Sequence, residues 1–98
     1  MTTTRDSDRS MIDEQDVNRM RWASRRGMLE LDLVLEPFVS DRYAALSDAD
    51  KIRYRDLMLC EDQELFGWFL KREVPDDPEL AAIVRTILEY ARTPPELR

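Results

Sequence analysis

The side chains in this sequence that have the type and spacing for chemistry are two carboxylate clusters, one thiol and an arginine-rich turn. The clusters are "EDQE" at 61–64 and "PDDPE" at 75–79, the thiol is Cys60, and the turn is "WASRRGMLELD" at 22–32. The 98 residues contain no histidine. This removes the side chain most used for proton transfer near neutral pH and the commonest metal ligand. A nucleophile needs a neighbouring base. Cys60, near the end of an amphipathic segment and without an imidazole to pair with, reads as a packed or half-buried thiol, because free cysteine behaves as a small hydrophobe. Both acidic clusters fall at helix starts, where carboxylates complement the macrodipole. Neither has calcium-loop spacing, and no glycine-rich phosphate loop is present. These residues do not assemble an autonomous enzyme.

The turn at 22–32 is of another kind. Arg19 and Arg26 stand three and four residues from Trp22, on one helical face. Tryptophan and arginine are the side chains enriched where binding energy concentrates; the other reading of Trp22 is a half-buried ring covered by arginine stems. Two readings of the glycine remain open. In the first, Gly27 is an ordinary helix stop, with Arg26 near one C-terminus and Glu30 near the next N-terminus, each placed favourably. In the second, the turn presents Arg26 and Glu30 side by side against bare backbone at Gly27. A partner then approaches closely, and any side chain at 27 blocks it.

The segments on either side of this turn read as helices. Ninety-eight residues, 43% of them hydrophobic, suggest one domain with a real core. Residues 1–10 are polar and read as a disordered tail, 11–93 as a single helical domain, and 94–98 as a C-terminal tail. The first helix is expected from about Ile12 to Arg26, with Ser10 and Asp13 as a box-like cap and Val17, Met20 and Trp22 or Ala23 as its apolar face.

The second, about Leu29 to Ala45, is the most apolar. Leu31, Val34, Leu35, Phe38 and Val39 keep helical spacing, and Leu29, Leu33 and Leu46 widen the stripe. "LELDLVL" also alternates as a strand would. Its leucine-rich composition and the continuation of the pattern past Pro37 favour helix. The third helix opens at "SDAD" and carries Ile52, Tyr54, Leu57, Met58 and Leu59. The fourth, "DQELFGWFLKRE", takes Asp62 as N-cap and Leu65, Phe66, Trp68, Phe69 and Leu70 as its apolar residues. Gly67 inside it costs about 1 kcal/mol relative to alanine, which a close packing contact explains. The fifth has Asp77 as N-cap and Pro78 in the first turn. Leu80, Ile83, Val84, Ile87, Leu88 and Ala91 form its apolar stripe. Short connections between such helices predict an all-α, compact five-helix bundle.

Charge and composition restrict the partners. Fifteen basic against 21 acidic residues leave a net charge of −6, which disfavours phosphate-neutralising nucleic-acid binding through Arg19, Arg21, Arg25 and Arg26. Thirteen of the fifteen basic residues are arginine, a bias that suits specific bidentate contacts. One cysteine allows no intramolecular disulfide, which fits a cytoplasmic setting. The N-terminus lacks the apolar core of a secretory signal. No apolar run approaches the roughly 18 residues that span a bilayer, so membrane insertion is not expected.

"RRGMLELD" resembles the Arg-Gly-x-x-Glu signature of the succinate dehydrogenase FAD assembly factors, also called flavinators. The likeness extends to "RMRWASRRGMLELDLVLEPFV", "LSDAD", "LMLCEDQELFGWFL" and "PDDPELAAIVRTI", in the family's order, over about residues 15–90. The resemblance implies a five-helix fold. It also implies transient binding to the flavoprotein subunit of succinate dehydrogenase, with fumarate reductase as a further client, and promotion of covalent FAD attachment. The partner's own histidine would attack the flavin 8α-methyl carbon, so the missing histidine is expected. Carried over by position, the partner-binding residues are Arg26, Gly27 and Glu30, with Arg19, Trp22 and Asp32 on the same surface. The chain is then a non-enzymatic factor, with no metal and no stably bound cofactor, acting on FAD held by its partner. It would be a monomer alone and a heterodimer with its client. The alternative is an antitoxin-like regulatory module that binds another protein.

Overall fold

The computed structural model of the chain describes residues 15–97, and all five expected helices appear within that span. The expected tail at 1–10, the helix start at Ile12 and the Ser10–Asp13 cap lie outside the described residues. Helix α1 occupies 15–24, α2 Leu29–Arg42, α3 Asp48–Met58, α4 Asp62–Leu70 and α5 Pro78–Arg92. Short 3₁₀ turns follow α2 at Tyr43–Ala45 and close the chain at Pro95–Leu97. No strand occurs among the described residues.

The helix starts are made as the sequence implies, with one exception. Ser47 accepts from the Asp50 N–H at 3.1 Å ahead of α3, and Asp77 accepts from the Glu79 N–H at 2.8 Å ahead of α5. At α4 the cap is Glu61 rather than Asp62, and Glu64 reaches back to the Glu61 N–H at 3.1 Å. Asp62 is released for another task, described below. Helix α2 runs through Pro37, because the missing N–H costs one bond whereas its buried face continues past it.

The core is formed by Met20 from α1, Leu31, Leu35, Phe38 and Val39 from α2, Tyr43, Tyr54, Leu57 and Met58, Leu65 and Phe69 from α4, and Ile83, Val84, Ile87 and Tyr90 from α5. Helix α2 packs on both α4 and α5, and α3 packs on α5. The buried rings meet in register: Phe38 stacks on Tyr54 at 5.8 Å, and Tyr90 and Tyr43 stand edge-on to Phe38 and Tyr54 respectively. Helix α1 joins through polar contacts as well. The Ser24 hydroxyl donates to the Met20 carbonyl at 2.6 Å and lies 2.5 Å from the Tyr54 hydroxyl.

Several expected core residues face solvent. Ile52 and Leu59 on and after α3 are exposed, as is Ala91, while Trp68, Leu80 and Leu88 are half-buried. On α5 the last core position belongs to Tyr90, whose hydroxyl donates to the Asp41 carboxylate and lies 3.3 Å from the Pro37 carbonyl. The close contact at Gly67 is with the Glu73 side chain, whose carboxylate sits where a Cβ would project.

Candidate functional site

Helix α1 stops at Ser24, two residues before the expected end at Arg26. Arg25 and Arg26 leave the helix, and Gly27 then turns the chain at φ +80°, a conformation that costs other residues about 1–2 kcal/mol. Asp32, in the first turn of α2, fixes the turn by accepting from the Arg26 N–H at 2.9 Å. The space over Gly27 is open, with no atom within 4 Å of where a Cβ would stand.

Arg26 does not stand beside Glu30 at the surface. Its side chain is only 16% exposed, and four polar partners hold it. Nε donates to the Asp62 carboxylate at 2.7 Å, one terminal nitrogen to the Ala23 and Met58 carbonyls at 3.0 Å each, and the other to the Cys60 carbonyl at 2.8 Å. The guanidinium therefore caps the ends of α1 and α3 and the start of α4 together. Those carbonyls have no intrahelical donor of their own, and arginine's planar fork satisfies several at once. Cys60 beneath it is half-buried, and burial pushes its thiol above the ordinary value, with Glu64 adding to the rise. Glu30 is exposed on α2 and Arg19 on α1.

Trp22 is 71% exposed. The arginine that covers it is Arg25, whose guanidinium lies 5.6 Å over the ring and also meets Glu36 at 3.2 Å. This pair ties the tryptophan to the outer face of α2. Leu29 and Leu33 stand on that face, 69% and 66% exposed. The strict alternation of leucines explains them. On a helix, positions two apart are separated by about 200°. Leu31 and Leu35 therefore enter the core, while Leu29 and Leu33 form a second stripe on the opposite side, continued by Glu36 and Ser40. The expected widening of the buried stripe by Leu29 and Leu33 is thus incorrect. An apolar stripe turned outward beside an exposed tryptophan is the kind of surface that marks a protein contact.

The structure brings together Trp22, Gly27 and Glu30 as exposed groups of one region. It assigns Arg26 and Asp32 to holding the turn. Arg25, Leu29, Leu33 and Glu36 join the region and were not singled out as site residues from the sequence. The leucine alternation was the available signal for two of them. The Arg25–Glu36 pair spans a turn and has no sequence signature. No cluster of ligands able to hold a metal occurs among the described residues, and none of their helices is long and apolar enough to cross a membrane.

Residues 18–91 match the protein family described as "Flavinator of succinate dehydrogenase". The chain is similar to the "FAD assembly factor SdhE" of Pseudomonas aeruginosa, with 51% identity over 79 residues, which is 81% of this chain and 94% of the relative. The protein of the same description from Shewanella oneidensis is 55% identical over 69 residues, 70% of this chain and 84% of the relative. That from Idiomarina loihiensis is 47% identical over 78 residues, 80% of this chain and 87% of the relative.

Proposed function

The chain belongs to the flavinator of succinate dehydrogenase family, and on that premise we propose that it is an assembly factor that binds the flavoprotein subunit of succinate dehydrogenase and promotes covalent attachment of FAD. The observation that carries the reading is the open left-handed turn at Gly27, set among exposed Trp22, Leu29, Glu30 and Leu33. Bare backbone in one region with an exposed aromatic side chain and an apolar stripe suits docking onto a folded partner.

The chain's own contribution is positional. Without histidine it supplies no imidazole nucleophile or base. It holds no FAD of its own and acts as a non-enzymatic factor on the flavin held by the client. Docking would fix the client's flavin and nucleophile in a reactive arrangement, which is how orientation lowers a barrier without a new reacting group. Within the surface, Trp22 and the Leu29–Leu33 stripe supply apolar contact, and Glu30 an exposed carboxylate for a donor on the client. Arg19 extends the contact along α1. Arg26 and Asp32 keep the turn in shape. We place the working complex in the cytoplasm as a one-to-one heterodimer. The flavoprotein of fumarate reductase is a second client to test.

Coexpression with the flavoprotein subunit, read by in-gel flavin fluorescence, tests this. Covalent flavin should rise with the chain present, and a Gly27→Arg variant that retains its helicity should abolish the rise. Covalent flavin that is unchanged when the chain is removed would overturn the proposal.

A further inference from the structure

We propose that the groove between α5 and the α4–α5 connection is a second docking site, which takes an extended acidic segment of a protein partner through an apolar side chain flanked by carboxylates. The groove encloses about 340 Å³, has Phe69, Val74, Pro75, Val84 and Leu88 along its walls, and carries Arg72, Arg85 and Arg92 at its margin. It lies at the end of α4 opposite to Asp62 and the Gly27 turn, so it is separate from the surface described above.

The protein is acidic overall, and Arg25, Arg26, Arg53 and Arg55 each meet a carboxylate. Arg72, Arg85 and Arg92 meet none among the described residues; Arg19, Arg21 and Arg42 also form no ion pair there, but only the first three line one groove. The acid within the groove lining, Glu73, places its carboxylate over Gly67. Three guanidinium groups that form no ion pair among the described residues therefore line one apolar groove, with Glu73 in its lining and Glu89 between Arg85 and Arg92 on α5. Arg72 is held at φ +60°, where a residue with a side chain is uncommon and strained. Val74 beside it is 75% exposed. Guanidinium forks select carboxylates, and the apolar floor asks for a hydrocarbon group between them.

The spacing favours a peptide. Arg85 and Arg92 are seven residues apart on one helix, two turns or about 10 Å. In an extended chain, residues at i, i+2 and i+4 share one face and span about 13 Å. A Glu-x-Leu-x-Glu stretch thus presents two acids and one apolar group in the order and on the scale of the groove. The long arginine and glutamate side chains absorb the difference.

The test is amide chemical-shift mapping of the full chain with the peptide Ser-Glu-Ser-Leu-Ser-Glu-Ser. Shifts should concentrate at Arg72–Val74 and Arg85–Arg92 and weaken as salt is added. Binding should drop at least about tenfold, or roughly 1.4 kcal/mol, when both glutamates of the peptide become glutamine or when the chain carries Arg85→Glu with Arg92→Glu. The pair Arg85→Gln with Arg92→Gln repeats the test if the reversed charges disturb folding. Flavinylation of the client is read in parallel; peptide binding and flavinylation report on different surfaces, so either can fail alone. Absence of groove shifts, equal binding of the glutamine peptide, or equally tight binding of hexanedioate alone would overturn the proposal. The last result would make the groove a site for free anions.

Discussion

The Arg26 guanidinium and the Asp62 carboxylate meet at 2.7 Å and join the turn after α1 to the first turn of α4. With three backbone carbonyls on the same guanidinium, the contact makes the signature arginine an internal brace. The flavinator motif is then divided in two. Arg26 shapes the turn from within, and Gly27 and Glu30 occupy its outer face.

Arg26→Ala should therefore lower stability by about 2–4 kcal/mol, since it removes a largely buried charged donor from three backbone carbonyls at once. Asp62→Ala should cost under about 1 kcal/mol, because Asp62 is partly exposed and water can replace it. Urea unfolding of the two variants checks the order. Equal and negligible losses would show that the brace contributes nothing.

Gly27→Ala should cost about 1–2 kcal/mol through the left-handed backbone alone, since open space surrounds the new methyl group. Thermal melts of Gly27→Ala and Gly27→Asn measure it, and asparagine, which tolerates this conformation better, should lose less. Client binding should fall further for arginine than for alanine at 27, following side-chain size rather than stability.

Trp22→Ala and Leu33→Ala should leave the melting temperature within a few degrees of the parent, because both side chains are largely in water already. Both should weaken binding of the flavoprotein subunit by about tenfold or more, as anchors at interface centres do. A pulldown or calorimetric titration with the purified subunit reads this directly. Unchanged affinity in both variants would move the interface elsewhere.

The Asp16–Tyr43 bond, 2.7 Å long and buried, couples the stability of the fold to pH in both the acid and the alkaline range. Burial raises the Asp16 carboxyl, but hydrogen bonds from Tyr43 and Arg55 and the charges of Arg55 and Arg19 bring it below its ordinary value. A lowered carboxyl stabilises the fold above its unfolded value of about 3.9, and that stability is lost as pH falls through the folded value. Asp16→Asn should therefore flatten the acid limb of a stability-against-pH curve. Burial and the same bond push Tyr43 up to about 12. Its stabilisation is complete below the unfolded value of about 10 and is lost as pH rises through the folded value. Burial raises the Tyr54 hydroxyl as well, so Tyr43→Phe should make the loss of stability between pH 10 and about 12 shallower without abolishing it, followed by far-ultraviolet dichroism.

Features with local causes can be read directly from the order of the residues. Ser47 and Asp77 cap their helices because the acceptor and the donor lie within three residues of one another. Gly27 breaks the chain because it lacks a Cβ. The α5 stripe enters the core because its period matches a helix turn. The leucine alternation at 29–35 was legible too, once helix was chosen over strand: two stripes on opposite faces, one without a partner inside the chain.

Tertiary structure alone decided which way the arginines point. Arg26 and Arg25 are neighbours at the same helix end, equally basic and equally placed by local rules. One turns inward because Met58, Cys60 and Asp62, more than thirty residues along the chain, bring carbonyls and a carboxylate within its reach. The other stays out over Trp22 because Glu36 stands across the turn. Local rules see neither set of partners, since long-range packing is what brings them to the same helix end.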